Sequence, residues 1–364
     1  MTAAADAVRF PAAREGSTML AARFHEPGDV RVEEVPDPEP GPGDVVIRVR
    51  NCSVCGADRK TILHGHHRLS LPRVLGHEIA GEVVGTGAEV TDWAAGDSVQ
   101  VIAAIPCGAC RECQAGHATV CTSRENMGYQ HDGGFAEFML VPAKVIAVGG
   151  LNRIPDGTGS AEASLAEPLA CVLNAQERCG VTSGDEVLII GDGPAGCLHA
   201  RLARARGAAR VIVAGRRAAH LARVAELVGP DAVICAPDGD LAEQVANVTG
   251  GRGADVVIAA VGSGTVQQQA IGCAAPGGRV SLYGGLPPGT PPPAFDTNHV
   301  HYHELTVSGT SGASPAQTAQ ALGLIASGAV PVTDLITHHF PLAQFASALA
   351  TMTSGQAIKV TIEP

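Results

Sequence analysis

The feature that most constrains this chain is a glycine-rich turn between an apolar strand-like segment and a helix-like one. The turn has the pattern G-x-G-x-x-G and directly follows Val187–Ile190, which is typical of a buried strand. In such a turn the first glycine permits a tight bend, the second lets the backbone approach a pyrophosphate, and the third allows close helix–strand packing. Because the helix N-terminus also attracts phosphates, the pattern predicts a dinucleotide-binding turn formed by Gly191, Gly193, Pro194, Ala195 and Gly196.

Two patterns of predicted secondary structure along the chain indicate two domains of an α/β protein. From about residue 186, apolar strands and helices alternate at short spacing, which predicts a doubly wound parallel sheet with helices on both faces. Before that point, short strands are separated by Pro/Gly turns, which predicts a mostly β domain. The C-terminal tail is predicted to return to this β domain. Residues 1–18, which are rich in alanine, are interpreted as an N-terminal extension.

Composition limits the class of protein and of partner. The chain has 364 residues, of which 45% are hydrophobic and 17% charged, so it can build two cores and is not disordered. A net charge of −11 argues against nucleic acid or an anionic membrane as partner. No apolar run reaches the ~20 residues that would span a bilayer. The chain is therefore predicted to be cytoplasmic, and its eleven cysteines are expected to serve metal binding or catalysis.

The end of the second strand of the parallel sheet indicates which nucleotide binds. An acidic residue is expected there in NAD-binding turns, where it accepts hydrogen bonds from ribose hydroxyls. Here Arg210–Ala214 is followed by Gly215, Arg216 and Arg217, and two guanidinium groups favour a 2′-phosphate. The sequence therefore predicts NADP in preference to NAD. The alternative is that both arginines only begin a helix and face solvent.

Four cysteines within fifteen positions predict a structural metal site. Their spacing is C-x2-C-x2-C-x7-C, and four thiolates on so short a loop can close a tetrahedral zinc site. Disulfides could use the same residues, but a cytosolic protein disfavours them. The predicted ligands are Cys107, Cys110, Cys113 and Cys121, in a lobe over residues 107–121.

A second set of residues predicts an open zinc site. One thiol, one imidazole and two carboxyl groups would leave room for water or substrate on the metal, which would act as a Lewis acid. The candidate ligands are Cys55, His77, Glu78 and Glu167, and Asp58 is expected to orient the imidazole. Cys52 and Cys55 could also form a redox C-x-x-C pair, but the interpretation preferred here is one ligand and one packed thiol.

From about Met19 onward, the chain resembles the zinc-dependent medium-chain dehydrogenase/reductase family, in particular its sorbitol (polyol) dehydrogenase-like branch. The resemblance rests on Val54–Asp58, Gly76–Glu78, the cysteine lobe, Glu167–Leu169 and the glycine turn, all in the family's order. It implies a GroES-like catalytic domain over residues 19–169 and 312–364 and a Rossmann domain over 170–311, with the active site in the cleft between them. It also implies that Cys55, His77 and either Glu78 or Glu167 bind the catalytic zinc, giving two zinc ions per chain. A homodimer or homotetramer is expected, with the strand near Leu282 and the loop 286–294 as candidate interface.

One position departs from the family's pattern. Where the family usually has a hydroxyl that begins a proton relay, this chain has Ala57, and Lys60 stands where a histidine is usual. The proton must therefore leave by another route: zinc-bound water with Glu167 or Glu78, Lys60, a histidine of the His64–His67 cluster, or the substrate's own groups. That cluster is interpreted as a solvated loop.

Together these features predict an oxidoreductase that transfers hydride between NAD(P) and a polar secondary alcohol or ketone, such as a polyol, sugar or cyclitol. One alternative is an NADPH-dependent biosynthetic carbonyl reductase, which Arg216 and Arg217 favour. Another is a redox-neutral epimerase that uses transient oxidation, because Ala57 interrupts the usual relay. A non-enzymatic nucleotide-binding protein is disfavoured because the candidate zinc ligands are all present.

Overall fold

The computed structural model describes residues 16–236, 240–287 and 289–364. Residues 1–15 of the predicted extension lie outside these ranges, and Thr18 already belongs to the first strand. The strands are β1 (Thr18–Glu26), β2 (Asp29–Pro36), β3 (Val45–Ser53), β4 (Arg73–Val74), β5 (Glu78–Thr86), β6 (Ser98–Val101), β7 (Ala104–Ile105), β8 (Glu125–Asn126), β9 (Phe138–Val141), β10 (Leu151–Arg153), β11 (Glu186–Ile190), β12 (Arg210–Gly215), β13 (Ala232–Cys235), β14 (Ala254–Ala259), β15 (Ala274–Leu282), β16 (Thr306–Gly309), β17 (Ile336–Pro341) and β18 (Lys359–Glu363).

Helices lie mainly between the strands of the second half of the chain. They are α1 (Gly56–His64), α2 (Arg111–Gln114), α3 (Ala143–Ala147), α4 (Ser160–Ser164), α5 (Ala166–Arg178), α6 (Pro194–Ala205), α7 (Ala218–Val228), α8 (Leu241–Val248), α9 (Gly264–Gly272), α10 (Thr297–Tyr302), α11 (Pro315–Ala326) and α12 (Phe345–Ser354). Short 3₁₀ turns are found at Ala118–Val120, Thr333–Leu335 and Leu342–Gln344. Among the described residues, no helix is long and apolar enough to cross a membrane.

Contacts divide the chain into two compact units. The first unit runs to Glu167 and includes Ser314–Ala326 and Ile336–Pro364; the second contains Pro168–Ala313 and Ser327–Leu335. The sequence prediction assigned 327–335 to the first domain. In the structure this segment packs with the second unit, where the guanidinium of Arg201 makes paired bonds of 2.6 and 2.7 Å to the carboxylate of Asp334.

The second unit is built on a six-stranded sheet in the order β13-β12-β11-β14-β15-β16. Every neighbouring pair in it is parallel. Its central strands are apolar along their length, and Leu188, Ile212 and Val257 are completely buried because helices cover the sheet. The predicted doubly wound parallel sheet is thus present, with β11 leading into α6 across the glycine turn.

The first unit is mostly β. Its largest sheet has the order β10-β6-β5-β3-β18-β17, and β9 also pairs with β3. A three-stranded sheet, β2-β1-β4, and a two-stranded one, β7-β8, complete it. Ile47, Ile79 and Phe135 are completely buried in its core. Because β3 lies between β5 and β18 in the large sheet, it brings the start of β5 and the C-terminal strand close to the loop that follows β3.

Candidate active site

Cys55 is fixed by a capping box at the start of α1. Its Sγ accepts a hydrogen bond from the Ala57 backbone N–H at 3.5 Å, and its own N–H donates to Asp58 Oδ2 at 2.9 Å. Such reciprocal bonds satisfy N–H groups that a helix terminus would otherwise leave unpaired. The thiol is therefore held in one position, half-exposed, while the carboxylate of Asp58 is buried.

The same carboxylate also reaches His77. Asp58 Oδ1 lies 3.2 Å from His77 Nδ1, which leaves the other ring nitrogen, Nε2, for a metal. Burial opposes protonation of this imidazole, but the neighbouring Asp58 outweighs it and raises the pKa of His77 well above its usual value. Asp58 thus joins the backbone of Cys55 to the ring of His77, as its predicted orienting role requires.

Glu78 follows His77 at the first position of β5 and completes a group of three possible ligands. The ligand atoms of Cys55, His77 and Glu78 all lie within 4.8 Å of one another. A thiolate, an imidazole and a carboxylate are the donors that zinc accepts, and three protein ligands leave a position open for water or substrate. The chemistry and spacing of this set fit a zinc ion.

Lys359, at the start of β18, pairs with Glu78. Its Nζ lies 2.7 Å from Oε1 and 2.5 Å from Oε2 of the carboxylate. Burial alone would lower the pKa of Lys359, but the negative charges of Glu78, Cys55 and Glu167 raise it above its usual value. The ammonium therefore stays charged and compensates a carboxylate that is fully buried. Nothing in the sequence near Lys359 indicates this role.

Glu167, the fourth predicted ligand, is buried in the first turn of α5. It lies outside the group of three whose ligand atoms are within 4.8 Å of one another, although its charge acts on Lys359. Of the two carboxylates that the sequence left as alternatives, the structure brings Glu78 to Cys55 and His77.

Cys52 is a packed thiol. It is completely buried, and burial raises its pKa well above the usual value, which disfavours a reactive thiolate. Gly76 adopts a φ of 94°, and a Cβ atom there would lie 2.7 Å from Cys52 Sγ and 3.0 Å from the ring of Phe135. This close packing fixes the turn that leads into His77, so the buried Cys52 helps to position that residue.

Two hydroxyl groups that the sequence analysis did not single out lie beside the three ligands. Tyr129 Oη is 3.3 Å from Thr61 Oγ1, and the Tyr129 ring centroid is 6.5 Å from that of His77. His66 packs edge-on against Tyr129 with ring centroids 4.8 Å apart. The histidines of the 64–67 cluster are exposed, in agreement with a solvated loop, and Lys60 is exposed as well. Tyr129 could have been selected from the sequence because the chain contains few aromatic residues.

The four-cysteine lobe is assembled around α2. The Sγ atoms of Cys107, Cys110, Cys113 and Cys121 lie within 4.8 Å of one another; tetrahedral zinc would hold four sulfurs about 3.8 Å apart. The N–H of Cys107 donates to Cys121 Sγ, and that of Cys110 to Cys107 Sγ, each at 3.3 Å. The N–H groups of Ala109 and Cys110 lower the pKa of Cys107 to about 6. Among the described residues, these thiols form no disulfide.

In the second unit, the predicted glycine turn connects β11 to α6. Gly191 has a φ of 133°, which side chains other than hydrogen rarely permit. Gly193 occupies the N-cap of α6, and Pro194 begins the helix without loss of a hydrogen bond, since the first N–H groups have no partner within the helix. Gly196 is buried against the turn, where a Cβ atom would collide with the Gly191 carbonyl.

A cavity of about 560 Å³ opens beside this turn. Its lining includes Gly191 and Ile190 together with Gly215, Arg216 and Arg217, and both arginines are exposed. The side chain of Asp192 also lines it, although the sequence analysis did not select this variable position of the glycine pattern. The space above Gly215 is occupied by the Asp192 carboxylate: a Cβ atom at 215 would lie 2.7 Å from Oδ2.

Comparison with known proteins identifies the family. Residues 41–150 match the alcohol dehydrogenase GroES-like domain and residues 194–327 the zinc-binding dehydrogenase domain. A sorbitol dehydrogenase from Halalkalibacterium halodurans is 32% identical over 341 residues, 93% of this chain and 97% of that protein. The chain belongs to the zinc-dependent medium-chain dehydrogenase/reductase family. An L-threonine 3-dehydrogenase from Pyrococcus horikoshii is 34% identical over 352 residues, 94% of this chain and 97% of that protein.

Solved structures of this family agree. The structure of a zinc-binding dehydrogenase from Sinorhizobium meliloti 1021, bound to NADP, superposes with a TM-score of 0.88 at 34% identity, covering 96% of this chain and 100% of that one. The predicted family, its polyol dehydrogenase-like branch and the combination of GroES-like and Rossmann folds are confirmed. As a member of this family, the protein is an NAD(P)-linked oxidoreductase that acts on the CH–OH group of an alcohol.

Proposed function

We propose that this dehydrogenase exchanges hydride between NAD(P) and a polar secondary alcohol or its ketone, with zinc held by Cys55, His77 and Glu78. The observation that carries the proposal is the approach of these three ligand atoms to within 4.8 Å of one another. Three protein ligands leave one coordination position open, and a carboxylate in place of a second thiolate makes the set more polar. Glu167, buried in the same unit, is the alternative carboxylate ligand.

The contacts of the residues around the three ligands indicate what each of them does in the proposed reaction. A zinc ion held by Cys55, His77 and Glu78 would supply polarisation of a substrate oxygen, and a bound nicotinamide would supply the hydride acceptor or donor. Asp58 holds the imidazole of His77, and Lys359 holds the carboxylate of Glu78. The hydroxyls of Tyr129 and Thr61, 3.3 Å apart, provide a path for the alcohol proton that Ala57 cannot provide.

The substrate proposed is a polyol, sugar or cyclitol. Two relatives are named for sorbitol and L-threonine, both of which are small and hydroxylated. While the charges of Asp58 and Lys359 are already paired with His77 and Glu78, Tyr129 and Thr61 present hydroxyl groups beside the ligands. Such groups can form hydrogen bonds with substrate hydroxyls, and they would be left unpaired by a bound alkyl chain.

The test is a substrate panel run on zinc-loaded protein in both directions. Polyols, sugars and cyclitols should give higher kcat/KM than long apolar primary alcohols of similar size. Cys55→Ala should lose one of two bound zinc ions and the activity, while Cys235→Ala, at an exposed thiol outside both clusters, should keep both zinc ions. Preference for apolar primary alcohols would reject the polar substrate class. Reduced cofactor that fails to accumulate during turnover would instead support the epimerase alternative.

We also propose that the cysteine lobe holds a second, structural zinc ion. Four sulfur atoms within 4.8 Å and two N–H···S bonds support a closed site with no position for substrate. Its expected contribution is to the folding of the 107–121 segment, in which α2 is only four residues long.

NADP is proposed as the preferred nucleotide. Arg216 and Arg217 line the cavity beside the glycine turn, and a relative at 34% identity is bound to NADP. Titration of NADPH and NADH into zinc-loaded protein tests this, with Arg216→Ala expected to weaken NADPH binding about tenfold and NADH binding much less. Tighter binding of NADH by the wild-type protein would reject the preference. NADPH preference combined with faster ketone reduction would favour the carbonyl reductase alternative.

A homo-oligomer in the cytoplasm is the proposed state. Strand β15, which contains Leu282 of the predicted interface, lies between β14 and β16, so its backbone groups are already paired within the chain. The edge of this sheet nearer to β15 is β16, where Val307 is exposed; the other edge is β13. Light scattering coupled to size exclusion should give a dimer or tetramer, and fractionation of cells should place the protein in the cytosol.

A further inference from the structure

The cavity in the second unit contains a carboxylate oxygen that has no protein partner. Asp192 Oδ2 is shielded from solvent where it faces Gly215 and accepts no hydrogen bond from the described residues, whereas the side chain as a whole is half-exposed where it lines the cavity. A carboxylate with an unpaired buried oxygen is costly, so a donor that reaches the half-exposed side of this group from the cavity would be favourable. The cavity that Asp192 lines is large enough, at about 560 Å³, for the donor to come from a bound molecule.

One hydrogen bond and the missing side chain of Gly215 allow Asp192 to take this position. His220 on α7 donates from Nε2 to the Asp192 carbonyl oxygen at 2.9 Å, which fixes the backbone of the turn. Gly215, the last residue of β12, has no side chain, and a Cβ atom there would lie 2.7 Å from Oδ2 and 2.9 Å from Cγ of Asp192. The carboxylate therefore occupies the end of the second strand, although it comes from the first turn.

A carboxylate at the end of the second strand of such a sheet accepts hydrogen bonds from ribose hydroxyls. Here β12 itself supplies none at this point. We propose that Asp192 is the acceptor for the adenosine ribose hydroxyls of NAD(P) and limits the preference for NADP by facing the 2′-phosphate. This inference rests on the proposed use of the cavity for the nucleotide. It assigns a specificity role to the variable position of the glycine pattern.

The cavity lining contains charges of both signs, and they should have opposite effects on the choice between NADP and NAD. Arg216 and Arg217 attract a 2′-phosphate, whereas the carboxylate of Asp192 repels it and favours a 2′-hydroxyl. Selectivity is then the difference between these effects, and each can be removed separately. A purely structural role of Asp192, as a negative charge near the N-terminus of α6, would change the affinity for both nucleotides alike.

The test uses the full-length, zinc-loaded protein without substrate. Kd values for NADH and NADPH are measured by nicotinamide fluorescence for wild type and Asp192→Asn, which keeps the shape and removes the charge. NADH binding should weaken about tenfold while NADPH binding stays equal or tightens, so that the ratio of the two Kd values moves at least tenfold. Glu226→Gln, which removes an exposed charge on α7 outside the cavity lining, should leave the ratio unchanged.

A second measurement keeps the proposal testable if the variant folds poorly. AMP and 2′-deoxy-AMP compete with NADH for the wild-type protein, and AMP should bind about tenfold more tightly. In Asp192→Asn this difference should disappear. A ratio of Kd values within twofold of wild type, or equal binding of AMP and 2′-deoxy-AMP to the wild type, would overturn the role of Asp192. Failure of the wild type to bind either nucleotide would instead reject the cavity as the nucleotide site.

Discussion

The ammonium of Lys359 lies 2.7 Å from one carboxylate oxygen of Glu78 and 2.5 Å from the other, although the two residues are 281 positions apart. Both side chains are almost completely buried. A buried ion pair is held by mutual compensation, because neither charge has water to replace its partner. The C-terminal strand therefore determines the state of a carboxylate that stands beside Cys55 and His77.

Removal of the positive charge of Lys359 should destabilise the first unit. Lys359→Met is expected to lower the free energy of unfolding by about 3–5 kcal/mol, since Glu78 would remain buried without a counter-charge. Lys359→Arg should retain most of the stability, and the double variant Lys359→Met/Glu78→Gln should recover part of the loss. Urea denaturation in the presence of a chelator measures all three, because a zinc ion held by Cys55, His77 and Glu78 would itself compensate the Glu78 carboxylate. A loss below about 1 kcal/mol in Lys359→Met would contradict the account of a charged pair.

The cysteine lobe makes a prediction about metal content. Cys113→Ser should bind one zinc ion per chain where the wild type binds two, and its melting temperature should fall, because a structural site contributes its binding energy to folding. Cys235→Ser, at an exposed thiol outside the lobe, is the matched control and should bind two. Atomic emission and calorimetry provide both readings. Two zinc ions retained in Cys113→Ser would show that the lobe does not require all four thiols.

The hydroxyl pair beside the ligands makes a kinetic prediction. Tyr129→Phe removes the phenol that lies 3.3 Å from Thr61 Oγ1 and keeps the ring against His66. We expect kcat for alcohol oxidation to fall at least about tenfold with little change in KM, because positioned proton transfer contributes factors of this size or more. Thr61→Val should act in the same direction. Unchanged kcat and solvent isotope effect in both variants would exclude this proton path.

His199 makes the stability of the second unit sensitive to acid. It is completely buried on α6, its ring packs edge-on against Tyr283, and burial lowers its pKa to about 3. In the unfolded chain this histidine has its usual pKa of about 6.5, so below that pH the unfolded chain binds a proton that the folded chain does not bind. The free energy of unfolding is therefore highest above pH 6.5 and falls as the pH decreases towards 3.

The expected loss from His199 between pH 7 and pH 5 is about 2 kcal/mol. His199→Phe should remove this part of the pH dependence while it keeps an aromatic ring against Tyr283. Urea denaturation of wild type and variant at the two pH values provides the comparison, and His301→Phe, at an exposed histidine of the same unit, serves as control. Equal pH dependence in wild type and His199→Phe would show that the buried ring is protonated in the folded state.

Local patterns were enough to predict most of the fold. The glycine turn, the alternation from β11 to β15 and the cysteine lobe each occupy a continuous segment, so their spacing carries the information. Helix α5, Ala166–Arg178, was not predicted, because Pro168 in its first turn is typical of a loop as well as of a helix start. The candidate zinc ligands could be selected by residue type, but which carboxylate reaches Cys55 and His77 depends on how the strands pair.

Contacts between distant segments could not be predicted from the sequence. Lys359 meets Glu78 only because β3 lies between β18 and β5 in one sheet. Asp192 reaches the end of β12 only because Gly215 leaves it space. From the sequence, Gly215 and the two arginines after it were interpreted as favouring a 2′-phosphate, since a missing side chain does not reveal which neighbour fills the gap.

The bidentate pair between Arg201 and Asp334 has a consequence for how this protein can be divided. The chain passes from one unit to the other at four places, after Glu167, Ala313, Ala326 and Leu335. A polypeptide cut after Ala313 would leave Arg201 buried without the Asp334 carboxylate and the Pro331 carbonyl that it binds. The nucleotide-binding half is thus not a transferable module of contiguous sequence, and exchange of this half between relatives has to carry the short 327–335 segment with it.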